Sequence, residues 1–181
     1  MNSPKRKSTK PLLILLLVFV LPVVAAKLVL SMNLYHGGAT NKGELLMPDT
    51  TYSQLDMSNP HPKSWQMIYL LPAHCDSPCL NRLYILHQSH IALGRDQLRV
   101  TPIILLQENS DRSALEGFDF ATAKASRDVS ALLAQQQLII VDPLGAMVMR
   151  YQQVDTKDQQ VLLGKAMVAD LRKMLKLSRI G

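Results

Sequence analysis

Trp65-Gln66-Met67-Ile68-Tyr69-Leu70-Leu71-Pro72-Ala73-His74-Cys75-Asp76-Ser77-Pro78-Cys79 is the stretch on which the reading of this chain turns. Its first seven residues form an apolar run with the length of a buried strand. Ser77-Pro78 then has the form of an N-cap followed by proline at the first helical position. Cys75 and Cys79, the only two cysteines of the protein, fall at this strand-to-helix turn. Downstream, Leu80, Leu83, Leu86 or His87, and His90 recur at helical spacing, and Gly94 stands where a helix C-terminus closes.

Working outward, Leu98 to Leu106 (LRVTPIILL) reads as a second strand, in which Pro102 predicts an irregularity or an edge position. Glu108 to Gln137 is polar and alanine-rich and predicts two short helical pieces joined near Gly117. Leu138–Val141 and Ala146–Tyr151 predict a hairpin around Asp142-Pro143-Leu144-Gly145, with proline second and glycine fourth as in a type I turn. Thr156 with Gln159 forms a capping-box signature. The helix it opens would place Leu163, Met167, Leu171 and Met174 on one face, with Arg172, Lys173 and Lys176 where the dipole favours cations. The order is strand, helix, strand, helical crossover, hairpin, helix. With the thiols at the first strand-to-helix turn, that is an α/β, thioredoxin-like arrangement.

The N-terminus belongs to another kind of structure. Pro11 to Ala26 is uninterrupted apolar sequence, continued after Lys27 by Leu28-Val29-Leu30. A spanning helix needs about 20 apolar residues, and Lys27 can snorkel to the interface. The basic residues before it place the N-terminus in the cytoplasm and the remainder outside. The competing reading is a signal peptide cleaved after Val24-Ala25-Ala26; both export the domain. The division expected is therefore a basic tail (1–10), a transmembrane helix (11–32), a juxtamembrane linker (33–63) with a short strand near Leu45 to Met47, and a periplasmic domain (64–181).

Composition excludes some functions. Hydrophobic residues make up 48 % and charged residues 19 % of the chain, which suits a packed core rather than disorder. Of the net charge of +6, five units come from Lys5, Arg6, Lys7, Lys10 and Lys27, leaving +1 for everything after residue 32. No basic stripe remains for nucleic acid. Nucleophile-elbow, Walker, haem-attachment and zincin motifs are absent from the sequence.

Cys75 and Cys79 are the candidate catalytic pair. A helix N-terminus lowers the pKa of the nearest thiol, which favours Cys75 as nucleophile and Cys79 as resolving partner, while Asp76 works against the thiolate. Thiolates also select Cu(I), and His74 is a candidate third ligand or proton partner. The plain alternative is a structural disulfide of an exported domain, closing too small a loop to stabilise much. His87 and His90 lie too far along the helix to join the thiols, because His87 is about 12 Å beyond Cys79 at 1.5 Å per residue. The methionines on strands and the last helix read as core gap-fillers.

The segments WQMIYLLPAHCDSPC, LHQSHIALGRDQLRV, IIVDPLGAMVMRY and LLGKAMVADLRKMLKLSRIG resemble small membrane-anchored proteins encoded with bacterial cytochrome c oxidase assembly factors, distant relatives of the copper-handling Sco proteins. The resemblance runs from about Asn41 onward. It implies a Sco-like, thioredoxin-fold domain facing the periplasm from the inner membrane, with cytochrome c oxidase subunits or assembly factors as partners. The Sco Cys-x-x-x-Cys motif matches Cys75 and Cys79. The histidine that completes the Sco copper site has Ala134 as its counterpart here, and Gln135, Gln136 and Gln137 stand where thioredoxins carry a cis-proline. The functions expected are therefore dithiol redox or transient Cu(I) handling in oxidase assembly, or a non-catalytic module that stabilises an oxidase subunit. A thiol peroxidase fits less well, since no peroxide-activating threonine or arginine is marked around Cys75.

Overall fold

The computed structural model describes residues 10–32, 41–46 and 50–180. They divide into two compact units, residues 1–40 and 41–181. The basic residues ahead of Lys10, His36 and Met47 lie outside the described residues. In the first unit, α1 (Lys10–Ser31) is a 22-residue helix containing Pro22. At 1.5 Å per residue it is about 33 Å long, matching a bilayer core of about 30 Å. Its apolar side chains are exposed from Leu12 to Leu28.

The second unit is built on a mixed six-stranded sheet in the order β1-β6-β5-β2-β3-β4. The strands are β1 (Glu44–Leu45), β2 (Trp65–Leu71), β3 (Val100–Leu106), β4 (Ala121–Lys124), β5 (Leu138–Val141) and β6 (Met147–Tyr151). β2 is central, parallel to β3 and antiparallel to β5. The helices are α2 (Ser77–Ala92), α3 (Arg127–Leu132) and α4 (Lys157–Leu177).

Every residue of β2 is buried because both sheet faces are covered. Trp65, Met67, Tyr69 and Leu71 join Leu83 and Leu86 of α2 and Met167 and Leu171 of α4. Ile68 and Leu70 point the other way, to Val129 of α3, Leu133 and Tyr52. Two-residue periodicity thus assigns one strand to two cores, and each fully buried Leu or Ile contributes about 1.5–3 kcal/mol.

Several details depart from the sequence reading. Leu80 is exposed and the inner stripe of α2 is Cys79, Arg82, Leu83, Leu86 and Ser89. On α4 the buried positions are Gln160, Gly164, Met167, Val168, Asp170, Leu171 and Leu175, with Leu163 and Met174 at the margin. Gly164 is the contact point, since a Cβ there would stand 2.7 Å from Ile85 Cγ2. Pro102 is not on an edge strand, but β4 pairs with β3 only from Ile103 onward, so the missing N–H costs no ladder bond to β4. The crossover holds the two short helical pieces expected, a 3-10 helix at Arg112–Leu115 ahead of Gly117 and α3 after it, but between them lies an unforeseen four-residue edge strand, β4, largely exposed.

Part of the stretch read as linker is built into the domain. β1 pairs with β6, and Tyr52 is buried with its hydroxyl donating to Gln66 Oε1 at 2.8 Å. Asp170, on α4 and 1 % exposed, fastens this segment. Its Oδ2 accepts the Lys42 and Gly43 amides at 2.9 Å each and the Tyr151 hydroxyl at 3.0 Å.

Candidate functional site

The site lies where β2 ends. Asp76, not Ser77, is the N-cap of α2: its Oδ1 accepts the Cys79 amide at 3.0 Å, placing Pro78 at the second helical position. A carboxylate one residue ahead of serine wins the cap because an ionised acceptor both bonds the amide and meets the positive end of the helix dipole. Cys75 and Cys79 are joined as a disulfide, Cα to Cα 5.2 Å. Cys79 is 5 % exposed and faces the core, whereas Cys75 is only partly buried.

The loop after β3 is stitched to this turn. Ser110 Oγ donates to the Leu71 carbonyl at 2.6 Å and the Asp111 amide donates to the Pro72 carbonyl at 2.9 Å. Asp111 Oδ2 then accepts the Cys75 amide at 3.3 Å. The Ser113 hydroxyl, and after it the Cys75 amide, hold the Asp111 carboxyl below the usual carboxylate range. Both cysteine amides are therefore bound to carboxylates.

Beside Cys79 opens a cleft of about 170 Å³ lined by Tyr69, His74, Asp76, Arg82, Gln136 and Gln153, among others. Arg82 is 4 % exposed, its guanidinium 5.8 Å from the Tyr69 ring centre. It donates to the Gln136 carbonyl, and to the Val154 carbonyl at 3.5 Å. Burial pulls the guanidinium down from its ordinary value, opposed by Tyr69, Asp155 and Asp76. The Tyr69 hydroxyl donates to Gln136 Oε1. Burial pushes that phenol up to about 12, with Arg82 opposing and Asp76 adding. Gln136, with φ of +58°, thus uses its carbonyl and its side chain to close the floor of the cleft. No peptide bond among the described residues is cis.

His74 is exposed and shares the cleft with Cys79. His87 stands edge-on to Phe118 and Phe120, and His90 is satisfied by the Val100 carbonyl at 2.8 Å. Met67, Met147, Met149 and Met167 are core residues. Asp142 is spent on its turn, its Oδ1 accepting the Leu144 and Ala146 amides. Among the described residues no group of three or more His, Cys, Asp or Glu is arranged to hold a metal ion. Sequence reasoning missed Asp111 and Arg82. Arg82 carried one signal, a charge within the apolar stripe of α2, three residues after Cys79.

A central strand ending in a Cys-x-x-x-Cys helix turn, with a hairpin and final helix to follow, defines a thioredoxin-like domain. The chain belongs to the family described as transmembrane-like, thioredoxin-like, C-terminal domain, whose model matches residues 65–178. No curated protein matches it. Among solved structures it is similar to apo Sco1 from Thermus thermophilus, at 17 % identity and a TM-score of 0.53, covering 76 % of this chain and 99 % of that one. Copper-bound yeast Sco1 matches at 14 % identity and 0.49, covering 64 % and 80 %. A peroxiredoxin Q variant from Xanthomonas campestris matches at 17 % identity and 0.44, covering 63 % and 82 %. The first of these shows a Sco-like fold; the other two are too remote to weigh.

Proposed function

We propose that this chain is a membrane-anchored, periplasm-facing accessory protein of respiratory cytochrome c oxidase assembly, acting through the Cys75–Cys79 pair in thiol–disulfide exchange. The observation that carries this reading is the asymmetry of the pair: a partly exposed cysteine just ahead of α2 and a buried one on its first turn. An exposed thiol can engage a partner and a buried neighbour can resolve the mixed disulfide. The apolar helix α1 and the Sco-like fold support the membrane setting and the oxidase context.

Cu(I) as cargo is the weaker form of the proposal. Reduced Cys75 and Cys79 would supply two soft donors, but the position corresponding to the Sco histidine is Ala134, an exposed residue without a donor side chain. Only His74 remains at the turn, and a three-donor site of the Sco type does not fit. The second reading, a non-catalytic interaction module, is favoured by Gln136, whose polar atoms bond Arg82 and Tyr69 where a thioredoxin offers cis-proline to its substrate.

The test is oxidase assembly in a strain whose full-length protein carries Cys75→Ser and Cys79→Ser, grown at limiting copper. Loss of active oxidase, with the variant present at normal level, supports thiol chemistry. Normal assembly with persistent co-purification of oxidase components supports the interaction module. Stoichiometric Cu(I) capture by the reduced wild-type chain, lost on His74→Ala, would restore the cargo form.

A further inference from the structure

The CDSPC turn withholds from its thiols most of the donors that a helix N-terminus ordinarily gives them. Thiolates at such turns are stabilised by unpaired first-turn amides. Here Pro78 has no N–H, the Cys79 amide goes to Asp76, and the Cys75 amide goes to Asp111, which leaves the Ser77 amide as the one first-turn donor not so engaged. Two carboxylates therefore stand where a developing thiolate would need positive partial charge.

The charged groups facing the turn divide by cysteine. Asp76 precedes α2, Asp111 comes from the loop after β3, and His74 precedes Cys75 and interacts with Asp111. Arg82, with Asp155 near it, lies one turn along α2 and lines the cleft with Cys79. Its guanidinium is already held by the Gln136 and Val154 carbonyls over the Tyr69 ring. Cys75, the accessible sulfur, is left with the acidic side of the turn.

We propose that Asp76 and Asp111 are positioning residues that poise the Cys75–Cys79 pair toward the disulfide, so that the reduced protein is an electron donor to a disulfide in a partner protein. This rests on the thiol-exchange reading above. The Cys75 sulfur, as thiolate, attacks one sulfur of the partner disulfide, forming a mixed disulfide and releasing one partner thiolate. The Cys79 thiolate then attacks the Cys75 sulfur, re-forming the Cys75–Cys79 bond and releasing the second partner thiolate. The partner gains two electrons and takes up two protons from solvent, and this chain loses two of each.

The test uses the reduced full-length chain with Asp76→Asn, Asp111→Asn and the double variant. Both substitutions keep an acceptor oxygen for the amide, so a purely structural role would leave thiol reactivity unchanged. Iodoacetamide labelling of Cys75 at pH 7, mapped by mass, should accelerate about threefold in each single variant and about tenfold in the double. The pH midpoint of labelling should fall, and the differences should shrink at high salt because Asp76 is exposed and Asp111 only half-buried. At pH 9, where the thiolate is populated, the double variant's disulfide should be about threefold easier to reduce in a glutathione buffer. Rates and equilibria equal to wild type, or slower labelling, would overturn the proposal. If the charge effects appear while the double-serine strain assembles oxidase normally, only the functional reading falls. If that strain fails to assemble oxidase while the charges have no effect, only this inference falls.

Discussion

Asp170 and Asp111 perform the same local act, a carboxylate receiving backbone amides from a distant segment, in opposite surroundings. Asp170 is 1 % exposed and gathers three donors from Lys42, Gly43 and Tyr151. Asp111 is only half-buried, beside Cys75, sharing its charge between that amide and the Ser113 hydroxyl. The buried carboxylate is an architectural knot, because it ties the Lys42 and Gly43 amides of the opening segment to Tyr151 and the last helix. The half-buried one serves a single distant amide, and its charge stands at the cysteine that carries that amide. Water makes the difference.

Removing the buried acceptor breaks this contrast hardest. Asp170→Ala leaves the Lys42 and Gly43 amides without their acceptor and the Tyr151 hydroxyl with only Met149 Sδ, and should cost about 3–5 kcal/mol in denaturant unfolding. A cost under about 1 kcal/mol would mean that water replaces the carboxylate and that the two sites are alike. Next comes reduction of the disulfide. The loop closed between Cys75 and Cys79 is so short that opening it should cost about 2 kcal/mol or less. A larger loss than that of Asp170→Ala would make the bridge the structural element and the carboxylate the accessory.

The smallest effect belongs to Glu44 on β1, which bonds Arg150 through both carboxyl oxygens and also accepts from Gln152. Those bonds hold its carboxyl below the ordinary glutamate value. Its contribution is therefore present above the unfolded pKa and disappears as pH falls through the lowered folded value. Glu44→Gln should leave the unfolding midpoint unchanged at acid pH and lower it slightly at neutral pH. A difference that grew toward acid would reverse the assignment.

The parts of this molecule legible in the sequence are those in which a single local signal decides. The β2 run, the hairpin and the α1 span each follow from apolar pattern or turn residues read over a few positions. The hairpin turn formed as its residues dictate, with the Gly145 amide bonding the Asp142 carbonyl at 3.0 Å and Gly145 at φ of +95°. β4 was illegible because Ala121-Thr122-Ala123-Lys124 has neither apolar alternation nor strong β-formers, and pairing with β3 alone makes it a strand. The cap of α2 was misplaced by one residue because Asp76 and Ser77 are both good caps and tertiary position chose between them. Cys75, Cys79 and His74 were singled out by residue type and spacing, and they stand together at one turn. Asp111 and Arg82 were not, since a side chain reaching 36 residues back to an amide leaves no periodic trace.

The Asp170 knot also sets a timetable. Its donors lie at residues 42 and 43 and its acceptor 127 or 128 positions later. A ribosome making the chain N-terminus first exposes the donors long before the acceptor exists. The opening segment of the domain must then wait, untied, until the last helix has been synthesised. Final closure of this fold is thereby a checkpoint on completeness, since a chain stopped before residue 170 lacks the carboxylate that fastens its own beginning.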